Sequence, residues 1–144
     1  MKIYFAGSIS GGRGDVTLYK QIIEHLKQYG EVLTEFIGEA SLSGMGEEHN
    51  SDKHIHDRDI NWLLSSDVIV AEITTPSLGV GYEIGRALEN GKKILALYRN
   101  IEGKRISAMI KGSEGVTTKQ YSNFDEIKEI TDAFLKIRNL LNNN

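Results

Sequence analysis

The stretch DVIVAEI at residues 67–73 determines how the rest of the chain is interpreted. Its nearly continuous run of apolar side chains is typical of a strand that is buried on both faces of a sheet. A helix is predicted on either side of this strand, over residues 52–65 and over residues 79–90. A buried strand between two helices indicates right-handed βαβ crossovers and a parallel sheet.

The same alternation continues along the chain in both directions. Further strands are predicted at residues 2–6, 31–36, 93–98 and 117–121, further helices at residues 15–29 and 124–141, and a short element of undetermined type at residues 107–110. Five strands alternating with helices predict an α/β fold: a single-domain flavodoxin-like (Rossmann-like), doubly wound, five-stranded parallel sheet with helices on both faces. Ligands bind such a sheet at the carboxyl ends of its strands, so we expect a site in the loops after the first, third and fourth strands.

Composition is that of an ordinary globular protein. The chain has 144 residues, 40% of them hydrophobic and 26% charged, which favours one domain over residues 1–144 and excludes disordered, collagen-like and coiled-coil classes. Only the asparagines at residues 142–144 are expected to form a disordered tail. The Gly-, Ser- and Glu-rich stretch at residues 40–49 is expected to be a surface loop.

Charge and cysteine content exclude several classes of function. The net charge of −3 provides no basic surface for a nucleic-acid polymer. The chain has no cysteine, which excludes disulfides, thiolate nucleophiles and cysteine-bound zinc. No apolar run approaches the ~18 residues that cross a bilayer, and the N-terminus lacks a signal-peptide core, so we expect a cytoplasmic protein with no membrane partner.

A glycine-rich loop, GSISGGRG at residues 7–14, follows the first predicted strand. Its glycines allow backbone amides to converge on an anion, and Ser8 and Ser10 add hydroxyls just before a helix begins. The nucleotide-triphosphatase loop would need Lys followed by Ser or Thr where this chain has Arg13 and Gly14. The loop is therefore either a phosphate site without bound magnesium or an ordinary turn.

A second motif, TPSLGVGYEIG at residues 75–85, follows the third predicted strand. Its glycines are spaced G-x-G-x-x-x-G and lie in the wrong βα unit, so a dinucleotide cofactor is not expected. Glu83 is predicted in the first turn of the next helix, where the helix dipole and free amides would keep its carboxylate ionised. Such a carboxylate either attacks an anomeric carbon or simply caps the helix.

The helix predicted at residues 52–65 carries a dense set of polar side chains, namely Asp52, His54, His56, Asp57, Asp59 and Asn61. His54 and His56 lie two positions apart and diverge on a helix, so the set is interpreted as solvated surface and no metal site is predicted. Asp59 differs because its apolar neighbours turn inward, and a carboxyl among them and beside a second carboxyl would have a raised pKa and could act as an acid. Tyr4 lies inside the first strand, where an aromatic residue is usually part of the core.

Six short motifs occur in order along the chain: YFAGSI at residues 4–9, GGR at 11–13, LTE at 33–35, DVIVAE at 67–72, PSLGVGYE at 76–83 and ISAMI at 106–110. Together they resemble the 2'-deoxynucleoside 5'-phosphate N-hydrolases, which belong with the nucleoside 2-deoxyribosyltransferases. The resemblance covers nearly the whole chain up to about Tyr121.

This resemblance implies cleavage of the N-glycosidic bond of a deoxynucleoside monophosphate without metal or cofactor, which yields free base and 2-deoxyribose 5-phosphate. It implies Glu83 as the nucleophile of a covalent intermediate, Asp59 as the acid/base group near the nucleobase, and Tyr4 as the group that orients Glu83. The residues it places at the substrate and its phosphate are Ser8, Ile9, Gly11, Gly12, Arg13, Ser77 and Gly79. It also implies a homodimer in which Ser107 contacts the phosphate in the neighbouring subunit's site and Met109 forms part of the wall.

Four other functions remain open at this point. A deoxyribosyltransferase would pass the sugar to a second base, but Ser8, Ser77 and Ser107 suit a phosphate better than a free nucleoside. A hydrolase of ribonucleotides such as CMP would need room for a 2'-hydroxyl, which the apolar Ile9 disfavours. A non-catalytic nucleotide sensor would need no nucleophile. A phosphoacceptor signalling domain would need paired acidic residues after the first strand, but this chain has Gly7 and Ser8 there.

Overall fold

Five strands form one parallel sheet in the computed structural model, which describes residues 1–9, 14–38 and 47–142. The strands are β1 (Lys2–Ala6), β2 (Glu31–Val32), β3 (Val68–Glu72), β4 (Lys93–Arg99) and β5 (Val116–Tyr121). Their order across the sheet is β2-β1-β3-β4-β5, and every neighbouring pair is parallel. This is the strand order of the flavodoxin-like doubly wound fold, so the predicted fold class is confirmed.

Helices cover both faces of this sheet. They are α1 (Val16–Leu26), α2 (Asp52–Ser65), α3 (Leu78–Glu89), α4 (Ala108–Lys111) and α5 (Phe124–Asn142). Apolar side chains of α1 and α5 pack with Ile3 and Phe5 of β1, whereas those of α2 and α3 pack with Tyr4 and Ala6. Alternation along β1 therefore places Tyr4 in the same layer as α2 and α3. None of the helices in the described part of the chain combines the length and the apolar character that crossing a membrane requires.

The second strand is shorter than predicted. It pairs with β1 only at Glu31 and Val32, whereas the sequence pattern predicted a strand over residues 31–36. Beyond it, Oγ1 of Thr34 accepts a hydrogen bond from the Phe5 N–H at 2.9 Å and donates one to the Phe5 carbonyl at 2.6 Å. The chain then forms a 3₁₀ helix at Glu35–Gly38. The prediction was wrong because one side chain satisfies both backbone groups of Phe5, so that further strand pairing is not needed there.

Other differences lie mainly at the ends of elements. The undetermined element near residue 107 is α4, which begins after Ser107 because its hydroxyl accepts a hydrogen bond from the Met109 N–H at 3.2 Å. Helix α5 ends at Asn142, the first residue of the expected tail, and residues 143 and 144 lie outside the described part, so the tail stays a prediction. The loop predicted at residues 40–49 is described only from Glu47 onward.

The ends of β1 and β3 bring the two candidate motifs together. Ala6 of β1 pairs with Ala71 of β3, so the loop that starts at Gly7 and the loop that starts at Ile73 leave the same edge of the sheet. This is the edge at which doubly wound folds bind their ligands.

Candidate active site

A cleft of about 650 Å³ opens at this edge, between one face of α2 and the start of α3. Five of the predicted site residues line it: Ile9, Asp59, Ser77, Gly79 and Glu83. Much of the remaining lining is apolar, from Ile37, Ile55, Ile60, Pro76, Leu78 and Val80. The cleft therefore holds the two candidate carboxylates in largely apolar surroundings.

Glu83 lies deeper in its helix than predicted. The hydroxyl of Ser77 caps α3 by accepting a hydrogen bond from the Val80 N–H at 3.3 Å, and the first turn of the helix contains no acidic residue. Glu83 is the sixth residue of α3, beyond the first turn in which the dipole acts most strongly. The expectation that the helix end keeps this carboxylate ionised is therefore wrong. Burial raises the pKa of Glu83 to about 7, and the nearby charge of Asp59 acts in the same direction.

Tyr4 is the group that opposes this upward shift. It is fully buried in β1, and its phenol donates a 2.7 Å hydrogen bond to Oε1 of Glu83. This bond favours the ionised carboxylate and so lowers the pKa of Glu83, although burial outweighs it. Burial and the charge of Glu83 raise the pKa of Tyr4 itself, so the phenol stays protonated and remains a donor.

Asp59 faces the same cleft from α2. Its side chain is 19% exposed, and burial raises its pKa, as the sequence predicted. Arg58 opposes that shift through hydrogen bonds and charge, whereas Glu47 adds to it. Two carboxyl groups with raised pKa values, of which Asp59 adds to the shift of Glu83, are the arrangement expected of a nucleophile and an acid/base partner.

His56 and Tyr82 also line the cleft, and sequence reasoning missed both. Nε2 of His56 lies 2.9 Å from the Tyr82 hydroxyl, which also accepts a 2.7 Å hydrogen bond from Nη1 of Arg86. His56 was interpreted as solvated surface, and its side chain is indeed 48% exposed. The missed signal was spacing: Asp52, Ile55, His56, Asp59 and Ile60 follow the i, i+3, i+4, i+7, i+8 pattern of one helix face, and all five line the cleft.

The polar residues of α2 do not form a metal cluster. Over residues 1–9, 14–38 and 47–142, no group of three or more His, Asp and Glu side chains lies close enough together to hold a metal ion. The hydrogen-bond partners of the His56 ring are instead Oδ1 of Asp57, 2.9 Å from Nδ1, and the Tyr82 hydroxyl.

Part of the predicted phosphate loop can be located. The Ser8 N–H donates a 3.1 Å hydrogen bond to the Tyr19 hydroxyl, which fixes the start of the loop against α1. The Ser8 side chain is fully buried, and its Oγ has no hydrogen-bond partner within the described structure. Gly11, Gly12 and Arg13 lie outside the described residues.

The structure does not bring Ser107 and Met109 to the cleft that contains Glu83. They line a second cleft of about 540 Å³, which shares four lining residues with the first: Pro76, Ser77, Leu78 and Val80. Both residues are exposed, and Met109 is 86% exposed despite being apolar. The role that the resemblance implies for Ser107, at the phosphate in a neighbouring subunit's site, stays a prediction.

Solved structures contain a similar fold. A CMP N-glycosidase from Clostridium botulinum matches 93% of this chain and 99% of its own, with a TM-score of 0.65 and 21% sequence identity. At that level of identity the match supports the fold alone.

Sequence comparisons identify the family. A protein named 5-hydroxymethyl-dUMP N-hydrolase from Danio rerio is 51% identical over 138 residues, covering 94% of this chain and 96% of the relative. The protein of the same name from Homo sapiens is 48% identical over 137 residues, covering 93% of this chain and 79% of the relative. The family model for nucleoside 2-deoxyribosyltransferase matches residues 3–127, which include Tyr4, Asp59 and Glu83. The chain belongs to the nucleoside 2-deoxyribosyltransferase family.

Proposed function

We propose that this protein hydrolyses the N-glycosidic bond of 2'-deoxynucleoside 5'-monophosphates. The observation that carries the proposal is the cleft in which Glu83, hydrogen-bonded to the buried Tyr4, faces the same space as Asp59. The names of the relatives point to the same class of reaction and, among substrates, to 5-hydroxymethyl-dUMP.

In the first step, Glu83 attacks the anomeric carbon. Its Oε1 accepts the hydrogen bond from Tyr4, so Oε2 is the attacking oxygen. The new C1'–O bond forms as the C1'–N bond breaks, the electron pair of that bond moves to the base, and the proton of Asp59 follows it. In the second step, Asp59 takes a proton from water, the water oxygen bonds to C1', and the ester to Glu83 breaks with its electron pair returned to the carboxylate.

The 5'-phosphate binds near the ends of β1 and β3. The buried hydroxyl of Ser8, which has no partner among the described residues, is a donor at this edge, and Ser77, the N-cap residue of α3, lines the cleft. Hydroxyls and backbone amides suit a monoester without bound magnesium.

A second copy of the chain completes this site. Leu78 is 97% exposed and Met109 86% exposed, and both line the second cleft beside Ser107. Apolar side chains exposed to this degree around a concave surface are typical of an interface. In the proposed homodimer this surface is covered, and Ser107 reaches the phosphate bound by the neighbouring subunit.

Product analysis with the full chain tests this function. The substrates are 5-hydroxymethyl-dUMP, dGMP, deoxyguanosine, GMP and CMP, each with and without adenine, and Glu83→Gln serves as the inactive control. We expect free base and 2-deoxyribose 5-phosphate from the deoxynucleoside monophosphates, with no effect of adenine. A new adenine deoxynucleoside would instead indicate a transferase, faster turnover of CMP or GMP a ribonucleotide hydrolase, and binding without turnover a sensor.

A further inference from the structure

Arg58 lies between two carboxylates at the edge of the cleft. Its Nε and Nη2 donate to Oδ1 of Asp59 at 2.9 and 2.8 Å. On its other side, Nη1 and Nη2 donate to the two carboxylate oxygens of Glu47 at 2.6 and 2.5 Å. One guanidinium thus bridges two carboxylates, and of these two only Asp59 lines the cleft.

Aromatic rings hold this guanidinium in place. Its central carbon lies 5.0 Å from the centre of the Phe36 ring and 4.7 Å from that of Trp62. The side chains of Arg58 and Glu47 are only 19% and 18% exposed, so water screens this ion pair less than one on the open surface. A planar fork fixed by rings and by two carboxylates has little freedom to turn.

The hydrogen bonds to Asp59 distinguish its two oxygens. Both N–H groups of Arg58 that reach this carboxyl end on Oδ1, and no hydrogen bond among the described residues ends on Oδ2. A proton on Oδ1 would have to displace two charged donors, so the protonated form of Asp59 carries its proton on Oδ2.

We propose that Arg58 is a positioning residue for Asp59: it holds Oδ1 as an acceptor so that Oδ2 exchanges the proton with the leaving base, and Glu47 balances its charge. The proton-transfer step rests on the proposed function. The arrangement of charges does not rest on it.

The charges of Arg58 and Glu47 shift the pKa of Asp59 in opposite directions. Arg58 lowers the pKa of this carboxyl, whereas Glu47 raises it and His54 lowers it more weakly. The other ionisable groups coupled to Asp59 are Tyr4 and Glu83, across the cleft. Removing the charge of Arg58 should therefore raise the pKa of Asp59, and removing the charge of Glu47 should lower it. A merely structural role would not move the pKa in opposite directions.

The test is a titration of the Asp59 carboxyl carbon by ¹³C NMR in the full chain. Arg58→Gln should raise the pKa of Asp59 by about 1–2 units, Arg58→Lys should raise it less, and Glu47→Gln should lower it. Lys53→Gln removes the pairing of exposed Lys53 with Asp57 on the same helix and should leave the pKa of Asp59 unchanged. Unchanged or parallel shifts in Arg58→Lys and Glu47→Gln would overturn the proposal, and this pair of variants decides it even if Arg58→Gln does not fold.

Kinetics then test the proton-transfer step. The limb of the kcat profile that reports a protonated Asp59 should shift in the same direction as the NMR pKa in each variant, and Arg58→Lys should recover part of the kcat lost in Arg58→Gln. If the NMR shifts are found but the limb does not follow them, Arg58 does not position the reacting proton. If no nucleotide is turned over at all, the proposed function fails while the charge arrangement stands on the NMR result.

Discussion

The phenol of Tyr4 and the carboxylate of Glu83 are 79 positions apart in the chain and 2.7 Å apart in the fold. The bond joins the central part of β1 to the second turn of α3, across the layer that these elements share. It engages one oxygen of Glu83 and lowers the pKa of that carboxyl, which burial nevertheless raises to about 7.

Replacement of Glu83, the proposed nucleophile, should abolish turnover without loss of the fold. Glu83→Gln preserves the shape of the side chain but cannot form a stable ester with the sugar, so we expect kcat to fall by roughly four or more orders of magnitude. Glu89→Gln is the matched control because Glu89 is an exposed residue at the end of the same helix. Turnover of Glu83→Gln within a factor of ten of the parent protein would rule out this mechanism.

Removal of the Tyr4 hydroxyl should shift the pH profile upward. The hydrogen bond from Tyr4 lowers the pKa of Glu83, so Tyr4→Phe should raise that pKa from about 7. Hydrogen bonds to charged groups contribute about 1.5–3 kcal/mol, which corresponds to about 1–2 pH units in the acid limb of kcat/KM. Tyr98→Phe, in the same apolar layer, is the control. An acid limb that stays at the same pH would show that the Tyr4 hydroxyl does not lower the pKa of Glu83.

Burial of Glu83 should make the protein less stable as the pH rises. The pKa of this carboxyl is about 7 in the folded state and 4.5 in its ordinary environment, so the folded state binds more protons between these values. Stability is therefore highest below the unfolded pKa and falls until the pH passes the folded pKa. Urea unfolding at about pH 5 and about pH 8 should show a loss of about 2–3 kcal/mol that is absent in Glu83→Gln. Equal losses in both proteins would contradict a buried, protonated Glu83.

Complementation should reveal whether Ser107 acts across subunits. Loss of a hydrogen bond to phosphate in Ser107→Ala should raise KM for a deoxynucleoside monophosphate about tenfold or more and leave KM for the free deoxynucleoside unchanged. When Ser107→Ala is mixed with Glu83→Gln, half of the dimers are mixed and each contains one complete site, so about a quarter of the activity should return at low substrate concentration. Mixing without recovery would place Ser107 in its own subunit's site or outside both.

The sequence was sufficient to predict the sheet and the edge at which the site lies. Continuous apolar strands and their alternation with helices carry that information, because parallel strands can be buried on both faces in few other ways. The resemblance pointed to Tyr4, Asp59 and Glu83, and the fold brings all three to one region.

The chemistry of the site was harder to predict from the sequence. The prediction that Glu83 is kept ionised was wrong because the pKa of this carboxyl depends on where Ser77 caps the helix and on how deeply β1 and α3 bury the carboxyl. The role of Arg58 depends on Glu47 and Phe36, which are distant along the chain and meet only in the fold. Contacts between residues that are far apart in the chain leave no periodic pattern in the sequence.

The double hydrogen bond between Thr34 and Phe5 has a consequence for protein engineering. Valine has nearly the shape of threonine and a higher preference for strands, so a profile of β propensity would accept Thr34→Val beside β2. Yet Thr34 is fully buried, and its hydroxyl serves both backbone groups of Phe5. The valine would leave a buried donor and a buried acceptor without partners, each at a cost of about 1–3 kcal/mol. In a scan of stabilising substitutions, this position is one at which a better strand former gives a weaker sheet, beside the tyrosine that is hydrogen-bonded to Glu83.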